Sequence, residues 1–332
     1  MTKTEQFRSL LQHGALPDKV LFRPILMYFA ANFIGKTYGE FASDYNVLVE
    51  ANLRCMDEFG LDMLGLISDP YRETSAFGAK IQYIPDGVPR CLNYVVESMD
   101  DVINLKIPDV YKSERTLDRI KAGEVLSKKT QGNIPVIGWI EGSLAEACDL
   151  AGVQNMMMQL MMDPDFANRL MDKCMVTAKD FAKAQIEAGC EIIGMGDAVC
   201  SQIDAETYDT FEKERHKELI EFIHSLGGKI KLHICGDTNH LLPHYNGLNL
   251  DIIDLDWQVD IGHARSFVGD VVILAGNINP VLVQDKSRDE VFSLCRNLVE
   301  KHKNERFILS AGCEITVLTP PENLKEMEET RI

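Results

Sequence analysis

Residues 229–277 read KIKLHICGDTNHLLPHYNGLNLDIIDLDWQVDIGHARSFVGDVVILAGN, and this stretch decides the fold. Three short runs in it are almost wholly apolar: Lys229–Cys235 (KIKLHIC), Asp251–Trp257 (DIIDLDW) and Val271–Asn277 (VVILAGN). Such runs, without polar alternation, suit parallel strands covered on both faces. Working outward, the pattern recurs at Pro24–Phe29, Met63–Ser68, Pro135–Ile140, Glu191–Asp197 and Phe307–Cys313, which makes eight. Amphipathic stretches long enough for a crossover helix lie between most of them, among them Asp163–Ala188, Ala205–Leu226 and Ser287–Lys303. Eight strand–helix units predict an α/β fold, a closed (β/α)8 TIM barrel. An open doubly wound sheet competes, but no glycine-rich phosphate loop follows the first strand. Ala79–Val96 departs from the pattern. Its PDG turn between alternating residues predicts a β-hairpin excursion between strands 2 and 3.

The chain has 332 residues, 45% of them hydrophobic, including 14 Phe, which excludes a disordered chain. Length alone suggests two domains, but eight strand signals make residues 1–332 one barrel domain with an N-terminal helical extension. Lys plus Arg number 34 and Asp plus Glu 51, a formal net charge of −17. That balance argues against a nucleic-acid partner and against an anionic membrane surface. No apolar run reaches the length of a membrane span. The opening MTKTEQFRSLLQHG is polar and amphipathic, unlike a signal peptide. With an odd count of nine cysteines, the expected setting is a reducing cytoplasm.

In barrels of this kind, chemistry gathers at the C-terminal ends of the strands. Strand 2 ends in Ser68-Asp69, strand 3 runs into Glu141 and strand 4 ends in Asp197. Strand 5 carries His233 and Cys235, strand 6 Asp254 and Asp256, strand 7 ends in Asn277 and strand 8 in Cys313-Glu314. His233 and Cys235, two apart on a strand, face the same side. Cys313 can reach across the mouth, where Gly312 permits close backbone approach. One nitrogen and two sulfurs suit Zn²⁺ with an open fourth position. The spacing also allows two small core thiols and a hydrogen-bonded barrel histidine. Asp256 is a candidate oxygen ligand, or a carboxylate satisfied by backbone. Asp69, Glu141 and Asp197 are candidate catalytic carboxylates for proton delivery, substrate orientation or support of the ligands, with structural roles as the alternative. His240 and His244, four apart on an expected helix, have metal-binding spacing but read more simply as exposed histidines. Met156–Met158 with Met161 and Met162 reads as helix core, and the remaining cysteines as buried thiols. Tyr28, Phe29, Phe33 and Trp139 line a pocket or pack.

Five segments carry a family likeness: GLISDPYRETSAFG (65–78), GWIEGSLAEACDL (138–150), KLHICGDT (231–238), IDLDWQVDIGHARSFVGDVVILAGNINP (253–280) and SAGCEI (310–315). Together they resemble the uroporphyrinogen decarboxylase superfamily, whose fold is a (β/α)8 barrel. Its decarboxylase branch carries an arginine-rich motif after strand one. The corresponding MYFAANFIGKTYGEF (27–41) has no arginine, and SAGCE stands where a late Gly-His motif is expected. Substrate carboxylates need cationic or backbone donors, so the missing arginines count heavily. Asp69 matches that branch's active-site aspartate. The other branch, the zinc-dependent corrinoid methyltransferases, has His-x-Cys and a distant Cys, matched here by His233, Cys235 and Cys313. The resemblance therefore implies Zn²⁺ on those residues, with Asp256 nearby, and a corrinoid on a partner carrier protein. It implies methyl transfer between that corrinoid and a small methoxy aromatic, methanol, methylamine or thiol. The alternatives are a uroporphyrinogen-type decarboxylase and a non-catalytic corrinoid- or tetrapyrrole-binding barrel. A homodimer is compatible with this reading.

Overall fold

In the computed structural model all 332 residues are described, the side chain of His13 excepted. Eight parallel strands form the barrel: β1 Leu21–Phe22, β2 Leu64–Gly65, β3 Val136–Glu141, β4 Ile192–Gly196, β5 Lys229–His233, β6 Ile252–Asp254, β7 Ile273–Ile278 and β8 Phe307–Ala311. Their hydrogen-bonded order is β1-β8-β7-β6-β5-β4-β3-β2, with helices in the crossovers. Among the described residues β1 and β2 share no ladder. Asp62 closes that seam: its N–H donates to Phe22 O at 3.0 Å, and its Oδ2 accepts from Phe22 N at 2.8 Å. The same buried carboxylate pairs with Lys3 Nζ at 2.6 Å and with Arg331.

The first strand lies earlier than the sequence suggests. Pro24 cannot donate to a ladder, so pairing with β8 stops after Arg23 N donates to Leu309 O at 3.0 Å. Of Pro24–Phe29, only Ile25 makes a strand-like bridge, to Glu314, and Tyr28–Phe33 is a helix. The other seven strands fall inside or within a residue of the expected runs. The hairpin is present, Ile81–Ile84 against Gly87–Cys91, antiparallel. The expected helix over Ala205–Leu226 is two, Ala205–Phe211 and Lys213–Ser225, broken at Glu212, whose carboxylate turns inward to accept from Ser143 Oγ at 2.6 Å.

Three further expectations are corrected. His240 and His244 do not share an α-helix: Leu242–Tyr245 is a short 3-10 turn with Pro243 in its first positions. Their rings go separate ways, His240 Nε2 to Ile203 O at 2.9 Å and His244 Nδ1 to Asp209 at 2.7 Å. The methionine run lies on a helix, Val153–Met162, but only Met156 is core, while Met158, Met161 and Met162 are exposed. Of the seven cysteines outside the mouth, six are buried, but Cys91 lies half-buried on the hairpin, its Sγ donating to Asn93 O at 3.1 Å.

Two apolar layers hold the barrel. Between strands and helices runs the main core. Inside, at the N-terminal end, Leu21, Met63, Ile137, Ile192, Ile252, Ile273 and Ile308 fill the interior. The helix Lys3–His13, started by a Thr2/Glu5 capping box, seals that end with Phe7 and Leu10. No helix is long and apolar enough to cross a membrane.

Candidate metal centre

Register places the site. Across β3–β6 the partners Glu141↔Gly196, Gly196↔His233 and His233↔Asp254 form one row at the strands' C-terminal ends. Cross-strand partners point to the same side of a sheet, so Glu141, His233 and Asp254 all face the barrel interior. One layer below, Trp139 pairs with Gly194 and Gly194 with Lys231. A Cβ at Gly194 would lie 2.4 Å from the Trp139 ring, so only glycine lets the indole lie across β4. The indole edge meets His233, centroids 5.8 Å apart.

Just past β5 and β8, Cys235 and Cys313 turn into the mouth. His233 Nε2 is 2.9 Å from Cys235 Sγ, which is 3.5 Å from Cys313 Sγ. The three donor atoms lie within 4.8 Å of one another. Gly312 permits this: a Cβ there would stand 2.3 Å from Trp257 N. On its far side, His233 Nδ1 bonds Asp254 Oδ2 at 3.2 Å, and the same oxygen accepts from Lys231 Nζ at 2.7 Å.

Electrostatics follow from these contacts. The hydrogen bond from Cys235 lowers Cys313 to about 4 against the opposing effect of burial, with His233 helping. Cys235 is raised by holding that proton toward Cys313 and by burial. Burial disfavours the imidazolium, yet Asp254 and Cys313 raise His233 to about 9. Asp254 stays ionised despite burial, held at about 2 by Lys231 and His233. One imidazole nitrogen and two sulfurs, with the far nitrogen fixed by a carboxylate, form a donor set that fits Zn²⁺.

A cavity of about 260 Å³ opens over this cluster, and His233, Cys235 and Cys313 are in its wall. Asp69, Glu141 and Glu314 line it too, with Ile25, Met27, Tyr38 and Trp139. Glu141 Oε1 accepts from Arg72 Nη2 at 2.5 Å and from Trp139 Nε1 at 3.2 Å, which leaves Oε2 for the cavity. Burial and the Glu73 charge push Glu141 well above the carboxylate range, with Arg72 opposing. Asp69 is the contrast: despite burial, Arg115 keeps it low, and Tyr71 N and Ser68 Oγ complete its bonds at 3.1 and 2.8 Å.

Asp197 and Asp256 are not brought into the cavity wall. Asp197 is fully buried behind it, accepting from Ala145 N at 2.9 Å and bonding His216 Nε2 at 3.1 Å. Asp256 Oδ2 accepts from Gly236 N at 3.0 Å, bracing the loop that carries Cys235. Tyr28 stacks on Tyr38, and Phe29 and Phe33 pack on Phe59; Trp139 alone of the four aromatics reaches the cavity. Sequence reading missed Arg72 and Arg115, and named Glu314 only as a strand-end residue without a role. Arg72 and Arg115 sit in helices, at no strand end, and only their burial, 0% and 3% exposed, marks them as partners of the site's carboxylates.

The family model described as uroporphyrinogen decarboxylase (URO-D) matches residues 16–331. The chain is 28% identical over 304 residues to a uroporphyrinogen decarboxylase of Geobacter metallireducens, covering 88% of this chain and 86% of that one. It is likewise 28% identical over 244 residues to methylcobamide:CoM methyltransferase MtbA of Methanosarcina mazei, covering 73% and 70%. Among solved structures, a methyltransferase from Methanosarcina mazei superposes with a TM-score of 0.89 at 20% identity, covering 99% of this chain and 98% of that one.

Proposed function

We propose, from the premise that the chain belongs to the uroporphyrinogen decarboxylase family, that it is a zinc-dependent methyltransferase moving a methyl group between a small methylated substrate and the cobalt of a corrinoid on a carrier protein. The observation that carries this reading is the convergence of His233, Cys235 and Cys313 at one point of the barrel mouth. Similarity to a protein named for methylcobamide and CoM supports it.

His233 Nε2 and the two sulfurs would hold the zinc. When bound, it supplies a Lewis acid for a donor's heteroatom, or keeps an acceptor thiol ionised. Asp254 fixes the imidazole so that Nε2 faces the sulfurs. Asp256 braces the Cys235 loop through Gly236. Glu141 holds a proton on the oxygen that faces the cavity and passes it to the departing heteroatom as methyl leaves. Asp69, held ionised by Arg115, anchors the wall through Tyr71 N and Ser68 Oγ. Trp139, Tyr38, Ile25 and Met27 exclude water from the reacting centre. Exposed Val88, Trp257, Val281 and Leu318, all on the hairpin or in segments just past strand ends, offer a carrier protein apolar contact around the mouth. A reducing cytoplasm suits nine free thiols.

Elemental analysis tests the centre. Wild type is expected to hold one zinc per chain, and Cys235→Ala and Cys313→Ala to lose it with unchanged circular dichroism. Stoichiometric zinc in the double variant would overturn the ligand set. Uroporphyrinogen decarboxylation is the second reading, favoured by the Geobacter relative's equal identity. Incubation with uroporphyrinogen separates them, and no carboxyl loss is expected.

A further inference from the structure

The chemistry of the cavity wall says what kind of substrate enters. Three acidic side chains line the mouth, Asp69, Glu141 and Glu314, and among the described residues no lysine or arginine does. The guanidinium groups behind the wall are buried and turned to other partners. Arg72 is fully buried and turned to Glu141, and Arg115 is buried and turned to Asp69. Arg23 lies inside the barrel with its Nη1 on Pro24 O, and Lys231 is on Asp254. Glu314 accepts from Tyr28 N at 2.7 Å through Oε1, and its carboxyl lines the cavity. An anion placed here would lose water and meet acceptors, a cost that unpaired buried charge does not recover. A group that donates hydrogen bonds meets partners. The volume, about 260 Å³, lies below the roughly 300–1,000 Å³ of drug-sized sites.

We infer, resting on the methyltransferase reading, that the small molecule exchanging methyl at this site bears a hydrogen-bond-donating head group, a hydroxyl or an ammonium, and no sulfonate, phosphate or carboxylate. Glu314 receives that head group, and Trp139 covers the apolar part.

A matched series varies the head group alone. The zinc-loaded chain is titrated calorimetrically with 2-mercaptoethanol, 2-aminoethanethiol and 2-mercaptoethanesulfonate, which share one thiol arm. The hydroxyl or ammonium thiol should bind about tenfold or more tighter than the sulfonate, and their order says which donor the site takes. In a metal-free arm, ligand-observed NMR on the Cys235→Ala/Cys313→Ala variant compares 2-methoxyphenol with its ring sulfonate, and only the first should show contact. Adding a cation to the exposed part of the wall, Val88→Arg, should raise sulfonate affinity. Sulfonates binding as well as their hydroxyl, ammonium or unsulfonated partners in either arm overturns the inference, as does no binding in both. Preference in the metal-free arm with no thiol binding in the other upholds it and overturns the zinc reading instead.

Discussion

Asp254→Asn separates what the interior carboxylate does for folding from what it does for the metal. One oxygen, Oδ2, serves both Lys231 Nζ and His233 Nδ1. Its carboxyl is held near 2 rather than 3.8 by those cations despite burial. At 1.36 kcal/mol per unit, that is roughly 2 kcal/mol of preference for the charged form. Because the folded value is depressed, this stability is fully present above about pH 4 and lost as pH falls toward 2. The asparagine variant should therefore be about 2–3 kcal/mol less stable at pH 7, Lys231 being left buried without a partner. Separately, removing the carboxylate behind a metal-binding histidine costs about 10–100-fold in metal affinity. Asp254→Asn/Lys231→Met removes the orphaned ammonium as well. It should recover most of the stability and none of the affinity. Urea unfolding of metal-free protein measures the first, and competition for zinc with a chromophoric chelator the second. The reasoning fails if the double variant binds zinc within about threefold of wild type, since Asp254 would then be only a counterion for Lys231.

Three other outcomes follow from the same geometry. Glu141→Gln, which copies the protonated side chain, should lower kcat by about 10²–10⁴-fold for donors with poor leaving groups and hardly change KM, read from the cobalt absorbance of the corrinoid. Asp62→Ala leaves Arg331 buried and the Phe22 N–H unmet at the β1–β2 seam, and should cost about 3 kcal/mol in urea unfolding without altering zinc content. Asp149, raised to about 7 by burial and then by Glu73, gives a pH signature. The folded chain keeps a proton that the unfolded chain releases near 4, so stability falls as pH rises from about 4 to 7. Asp149→Asn should be nearly equal to wild type in stability near pH 4 and about 4 kcal/mol more stable at pH 8.

Much of this fold is legible because buried parallel strands are continuous apolar runs, and β3 to β8 are largely such runs, with α-helices in every crossover but that from β5 to β6. β1 was misplaced because Pro24–Phe29 looks as apolar as a strand, while the decisive fact, a proline without an N–H, acts through its partner β8. The metal centre was legible at His233 and Cys235, since two-residue spacing on a strand fixes a common face. Cys313 was legible through its strand end. Asp254 was seen as a strand-end carboxylate, but its bond to His233 depends on the β5–β6 register, which no single-chain pattern encodes. Arg72 and Arg115 were invisible for a different reason. Each reaches the site from a helix, and an arginine in a helix has no periodic signature until its burial is known.

The barrel interior also explains why the charged groups stand where they do. Its lower end is filled with Leu21, Met63, Ile137, Ile192, Ile252, Ile273 and Ile308 and sealed by Phe7 and Leu10, so no water reaches the interior from below. Any polar group on an inward position must then find a partner at its own level or at the mouth. Lys231, one layer up, bonds to Asp254, and Asp254 to His233 in the top row, whose free nitrogen meets sulfur at the rim. Each step passes a polar demand upward until it ends at the cavity. Replacing Lys231 and Asp254 by apolar residues would satisfy packing equally well, but would leave His233 free to turn. The interior pair is better understood as what aims the imidazole than as what holds the barrel together, and the zinc competition on Asp254→Asn/Lys231→Met measures that aim.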